Sequence, residues 1–118
     1  AGVDNKRIGE VIQAVITECN KLRKEKVSKA ELAKVKEYLV GNLKLSLEGS
    51  DDVANFYGLE EILKRELKTP EQKAQEIRKV TAGQVQALAR DIFKNNKLNL
   101  AIIGPFRGKA GFIKLLKF

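Results

Sequence analysis

The sequence predicts an α+β fold dominated by helices: about five amphipathic helices, a short terminal helix and one buried strand. Apolar residues recur every three or four positions from Ile8 to Phe93, the period of a helix with one face in a core. A different pattern follows. Leu98 to Ile103 is a mostly apolar run rich in leucine and isoleucine, bounded by Asn95-Asn96-Lys97 and Gly104-Pro105, and reads as a buried strand. Ala1-Gly2-Val3 reads as the stub of a second strand.

The first helix begins after Asp4, whose carboxylate can accept from free backbone N–H groups, and carries Ile8, Val11, Ile12, Val15, Cys19 and Leu22 on one stripe. Cys19 therefore reads as a small buried hydrophobe and not as a reactive thiol. Ser28 and Glu31 have capping-box spacing and open a second helix with Leu32, Val35, Leu39, Val40 and Leu43 inward. Gly41 lies within that helix, where glycine costs about 1 kcal/mol relative to alanine, and predicts a neighbour packed closely against it.

Asp51 and Asp52 suit the positive end of a third helix, with Val53, Phe56, Tyr57, Leu59, Ile62, Leu63 and Leu67 as its stripe. Thr69-Pro70 opens a short fourth helix through Ala74, Ile77 and Val80, since proline fits the first helical position. Thr81 to Gln84 repeats the capping logic for a fifth helix bearing Val85, Leu88, Ala89, Ile92 and Phe93. A short helix from about Lys109 is expected to dock on its own domain, because so short a helix is marginal alone.

A lone buried strand leaves its N–H and C=O groups unpaired, at several kcal/mol in total. The three residues of the stub cannot cover both edges of residues 98–103. The pattern therefore predicts that residues 1–118 form a single incomplete domain, completed by another part of its parent or by another molecule, and that the isolated chain self-associates.

Composition narrows the chemistry. The chain has 118 residues, 43% of them hydrophobic and 32% charged, the profile of one small globular domain. A domain this small buries only about two-thirds of the surface its unfolded chain exposes, so its stability depends on cover from elsewhere. Histidine is absent and Cys19 is the single cysteine, which removes Ser-His and Cys-His couples, histidine zinc ligands and a thiolate pair. Only a lysine or carboxylate mechanism remains open to a free-standing enzyme. No segment approaches a membrane span or a signal-peptide core, so no membrane partner is expected and cytoplasm is the default compartment.

Lys and Arg number 23 against 15 Asp and Glu, a formal charge of +8. Most of the excess is lysine interleaved with glutamate, the pattern of a solvated helix surface. The densest cluster is Lys21, Arg23, Lys24, Lys26 and Lys29. No aromatic residue interleaves with it, so it offers no stacking platform for bases.

Three stretches resemble the C-terminal domain of the insulinase/pitrilysin/mitochondrial-processing-peptidase family, especially its bacterial short-chain members. They are Ala1-Gly2-Val3-Asp4 entering the first helix; Val27 to Leu32 through Gly41 to Glu48 and on to Asp51-Asp52-Val53-Ala54-Asn55-Phe56; and Val80 to Gln86 through Leu98 to Pro105. The likeness covers nearly the whole chain and lies in order and spacing, with no catalytic motif. It implies repeated α+β domains closing around a peptide chamber. It also implies, in the parent or a partner subunit, a zinc site on an inverted His-x-x-Glu-His helix whose Glu acts as general base.

That motif does not occur in this sequence. The family's non-catalytic half supplies an Arg followed by a Tyr that contact substrate. No Arg here stands at that spacing before Tyr38 or Tyr57, so neither role is carried over.

The leading expectation is thus a non-catalytic scaffold fragment of a zinc-dependent metalloendopeptidase. It would form part of the chamber wall, with no catalytic, cofactor or metal residues of its own, and would pack against the zinc-bearing part of its parent or a partner subunit. The alternative is a small basic helical module that binds nucleic acid or an acidic protein through Lys21 to Lys29.

Overall fold

The computed structural model describes residues 2–118. Among them the chain forms six α-helices: α1 (Ile8–Lys24), α2 (Lys29–Leu45), α3 (Ser50–Lys64), α4 (Pro70–Lys79), α5 (Ala82–Ile92) and α6 (Ala110–Leu115). Short 3-10 turns precede α1 at Asn5–Arg7 and follow α5 at Asn95–Lys97. The helices group into two compact units, residues 28–82 and residues 1–27 with 83–118.

The fold is all-α, which corrects the α+β expectation. No strand forms among the described residues. Residues 98–103 have no regular structure, and among the described residues no backbone hydrogen bond pairs them with another segment. Leu98 has extended dihedrals (φ −75°, ψ 127°), but a strand exists only as part of a ladder, and no described backbone pairs with it. The proposed stub offers no such partner: Gly2 and Val3 have no regular structure, and Ala1 lies outside the described residues. Apolarity in 98–103 encodes a wish for cover, which extended backbone satisfies only in part. Leu98 and Ile102 are half-buried, while Ile103 is fully exposed.

Several helix boundaries follow the local chemistry. Asp4 Oδ1 accepts from Lys6 N at 2.9 Å and so caps the 3-10 turn leading into α1. Ser28 Oγ accepts from Glu31 N at 3.1 Å to start α2. At α4 the box is reciprocal: Gln72 N donates to Thr69 Oγ1 at 3.3 Å and Thr69 N donates to Gln72 Oε1 at 2.8 Å, with Pro70 as the first helical residue. Arg65 ends α3 in the left-handed region (φ 52°), a place usually taken by glycine.

In the unit of residues 28–82, helices α2 and α4 pack together, and Val40 on α2 and Ala74 on α4 are the buried apolar residues. Glu60 on α3 is also buried. It overturns the apolar stripe expected there, because Leu59, Ile62 and Leu63 on the same helix are exposed, as is Leu67 beyond its end. The close neighbour expected at Gly41 is absent too. A Cβ placed there would meet nothing within 4 Å.

In the other unit, Ile12 and Ile16 of α1 and Ala89 of α5 are the buried apolar residues. Helix α6 packs against α1, as the sequence suggested for the tail. Leu115 Cδ1 comes to 3.7 Å from where a Cβ on Gly9 would stand, ordinary van der Waals contact, so the packing leaves room for an alanine there. Two aromatic pairs join the segments around them: Phe106 with Phe112, edge-to-face at 5.1 Å, and Phe93 with Phe118, tilted at 5.8 Å.

Candidate functional site

Two concave features stand out, both built from α1 and the C-terminal residues. The first is an apolar groove of about 560 Å³. Ile8, Val11, Ile12, Val15 and Ile16 form one wall, because helical spacing places them along one side of α1. The opposite wall is the extended segment 98–103, with Phe106 and Leu116. A smaller cavity of about 350 Å³ shares Leu100, Ile102, Phe106 and Leu116 with it and continues to Phe112 and Ile113. The groove is open enough to leave Val15 55% exposed and Leu100 40% exposed.

The second feature is a basic pocket of about 550 Å³ lined by Asn20, Arg23, Lys24, Arg90 and Phe118. Its frame is the C-terminal end of α1, where the last carbonyls lack helical partners. Arg23 O accepts from Arg90 Nε at 2.9 Å and from Gln86 Nε2 at 3.3 Å, which joins α5 to α1. Arg23 Nη1 donates to Asn20 Oδ1 at 2.8 Å, and the guanidinium lies 5.1 Å from the centre of the Phe118 ring. Phe118 is held in turn by Phe93 and by its own N–H, which donates to Asn95 Oδ1 at 2.8 Å. Among the described residues no carboxylate pairs with Arg23, Lys24 or Arg90, and Arg23 Nε is buried without an acceptor.

The cluster read from sequence is thereby divided. Arg23 and Lys24 enter the pocket, whereas Lys21 pairs with Glu18 at 2.7 Å, a bond that raises the lysine's pKa above its usual value. Lys26 is exposed outside the pocket lining, and Lys29 belongs to the unit of residues 28–82. Arg90 and Phe118 escaped the sequence reading. The chain lacks an aromatic near Lys21 to Lys29, but the fold supplies one from its far end. The available hint was Arg90 standing one helical turn before Phe93.

Elsewhere the polar groups look structural. Glu60 is 7% exposed and receives Lys64 at 2.7 Å and Lys73 at 2.9 Å, which ties α3 to α4. Its pKa is lowered chiefly by the Lys64 hydrogen bond and then by Lys73, against burial, which pushes the other way. Tyr38 is exposed, Tyr57 stacks edge-to-face on Phe56, and neither lines either feature. Cys19 is half-buried on α1.

Histidine is missing from the sequence and the one thiol is solitary, so neither imidazole nor a thiolate pair is to hand for zinc, and no group of three or more candidate metal ligands forms among the described residues. Comparison with protein-family models, curated proteins and solved structures returned no match.

Proposed function

We propose that this chain is a non-catalytic scaffold portion of a zinc-dependent metalloendopeptidase, whose apolar groove is covered by the zinc-bearing part of the same assembly. The uncovered groove between α1 and residues 98–103 carries this reading. Burial of apolar surface is the main favourable term in folding, at about 25 cal/mol per Å². Little of it is buried: among the described residues the buried hydrophobics are Ile12, Ile16, Val40, Ala74 and Ala89, while in the groove itself Val15 is 55%, Leu100 40% and Ile103 103% exposed. Contiguous exposed apolar surface of this kind marks a packing site.

The likeness of Val27 to Phe56 and Val80 to Pro105 to peptidase C-terminal segments supplies the identity of the partner. The all-α fold limits what is carried over to the helices and to the apolar character of the groove. In this role the helices bear load and position a wall, and the hydrolytic water, its base and its metal reside on the partner.

The test is to co-express the chain with the His-x-x-Glu-His polypeptide of its own genome. A stable complex that cleaves an unfolded peptide, and that Val15→Lys disrupts, is the expected result. No complex at micromolar concentrations, or zinc-dependent cleavage by this chain alone, would overturn the reading.

A further inference from the structure

We propose that the pocket formed by Arg23, Lys24, Arg90 and Phe118 binds the phosphate group of a small phosphate ester, with the ester's planar or apolar part against Phe118. This inference does not depend on the packing role of the groove. It rests on which donors the fold has already used. Arg90 commits only Nε, to Arg23 O, and Arg23 commits Nη1, to Asn20. Both terminal nitrogens of Arg90, Nη2 of Arg23 and Nζ of Lys24 therefore keep their donor capacity in side chains that line one cavity.

Among the described residues no carboxylate lies within ion-pair distance of the three cations that share that cavity, in contrast to Lys21, Lys64, Lys68, Lys73, Lys94 and Lys97, each of which has an acidic partner. The buried Nε of Arg23 adds an unpaired donor beneath them. Cations held together against their mutual repulsion favour a compact, doubly charged anion.

A phosphate monoester offers three terminal oxygens and close to two negative charges, and so matches these donors better than a carboxylate with two oxygens and one charge. Phe118 lines the same cavity and adds an apolar wall, which favours an ester with a flat or apolar body over inorganic phosphate. At about 550 Å³ the space is that of a small-molecule site.

The experiment is an NMR titration of the intact chain at low salt with phenyl phosphate, compared with inorganic phosphate and benzoate. Saturable binding of phenyl phosphate that shifts Arg90 and residues around Phe118 is expected, about tenfold tighter than either comparison ligand. Arg90→Gln and Lys24→Gln should each weaken it about fivefold to tenfold, while Lys34→Gln leaves it unchanged. Lys24 is exposed and makes no ion pair, so its variant remains informative if Arg90→Gln disturbs the fold. Benzoate binding as tightly as phenyl phosphate, or unchanged affinity in Lys24→Gln, would overturn the proposal. So would a single-stranded oligonucleotide that occupies the same residues more than about tenfold more tightly, since that would make the ligand a polymer.

Discussion

Lys73 Nζ lies 2.9 Å from Oε2 of Glu60, whose side chain is only 9% exposed. The pair is a polar tie between α3 and α4 where the sequence suggested an apolar stripe. A buried charge is tolerated only when paired, and Lys64 supplies the second partner.

Acid should therefore loosen the unit of residues 28–82. The Glu60 pKa in the folded chain lies below its ordinary 4.5, so its stabilising contribution is present above the unfolded value and lost as pH falls through the folded one. Glu71 and Glu76 are shifted the same way and add to the loss. Thermal melts from pH 7 to pH 3 should show a falling Tm below about pH 4.5, with a shallower fall in Glu60→Gln, which also starts lower at pH 7. Parallel curves for the two proteins would exclude this role.

Caps offer a second check. Thr69→Ala removes one arm of a reciprocal box and should cost about 1 kcal/mol in denaturant unfolding, with Ser28→Ala costing the same or less because Ser28 makes only one bond of its box. Arg65→Gly should change stability in the opposite direction, by about 0.5 kcal/mol, since it relieves a left-handed residue at the end of α3.

Two adjacent residues of the groove wall on α1 differ in how far the chain already covers them. Ile16 is 4% exposed and Ile16→Ala should cost about 2 to 4 kcal/mol, whereas Val15→Ala at 55% exposure should cost under about 0.5 kcal/mol. Equal losses would mean that Val15 is covered within the chain.

The sequence made the helices legible because each has its own punctuation. Asp4, Ser28 and Thr69-Pro70 announce starts through side-chain chemistry within three residues, and all three are seen in the structure. What local pattern could not supply was the partner of each face. Leu98 to Ile103 has the composition of a strand but nothing to pair with. Leu59 and Ile62 have the spacing of a core stripe, yet Glu60 takes the buried position because Lys73 approaches from α4. The basic pocket was half legible: Arg23 and Lys24 were adjacent in a visible cluster, whereas Arg90 and Phe118 meet them only through tertiary contacts.

Exposed apolar surface should also make the isolated chain sticky. Its sedimentation coefficient is expected to rise with concentration through the micromolar range, and Val15→Lys or Ile103→Lys should hold it monomeric without lowering Tm. A wild-type monomer at every concentration would argue that the groove is not exposed in solution.

Amide hydrogen exchange at residues 98–103 tests the packing role most directly, measured on the chain alone and again with the zinc-bearing polypeptide. These amides have no backbone partner among the described residues, so they should exchange at nearly unprotected rates when the chain is alone and at least about 100-fold more slowly in the assembly. Equal rates in the two states would contradict the assignment of this groove as the covered surface of a peptidase scaffold.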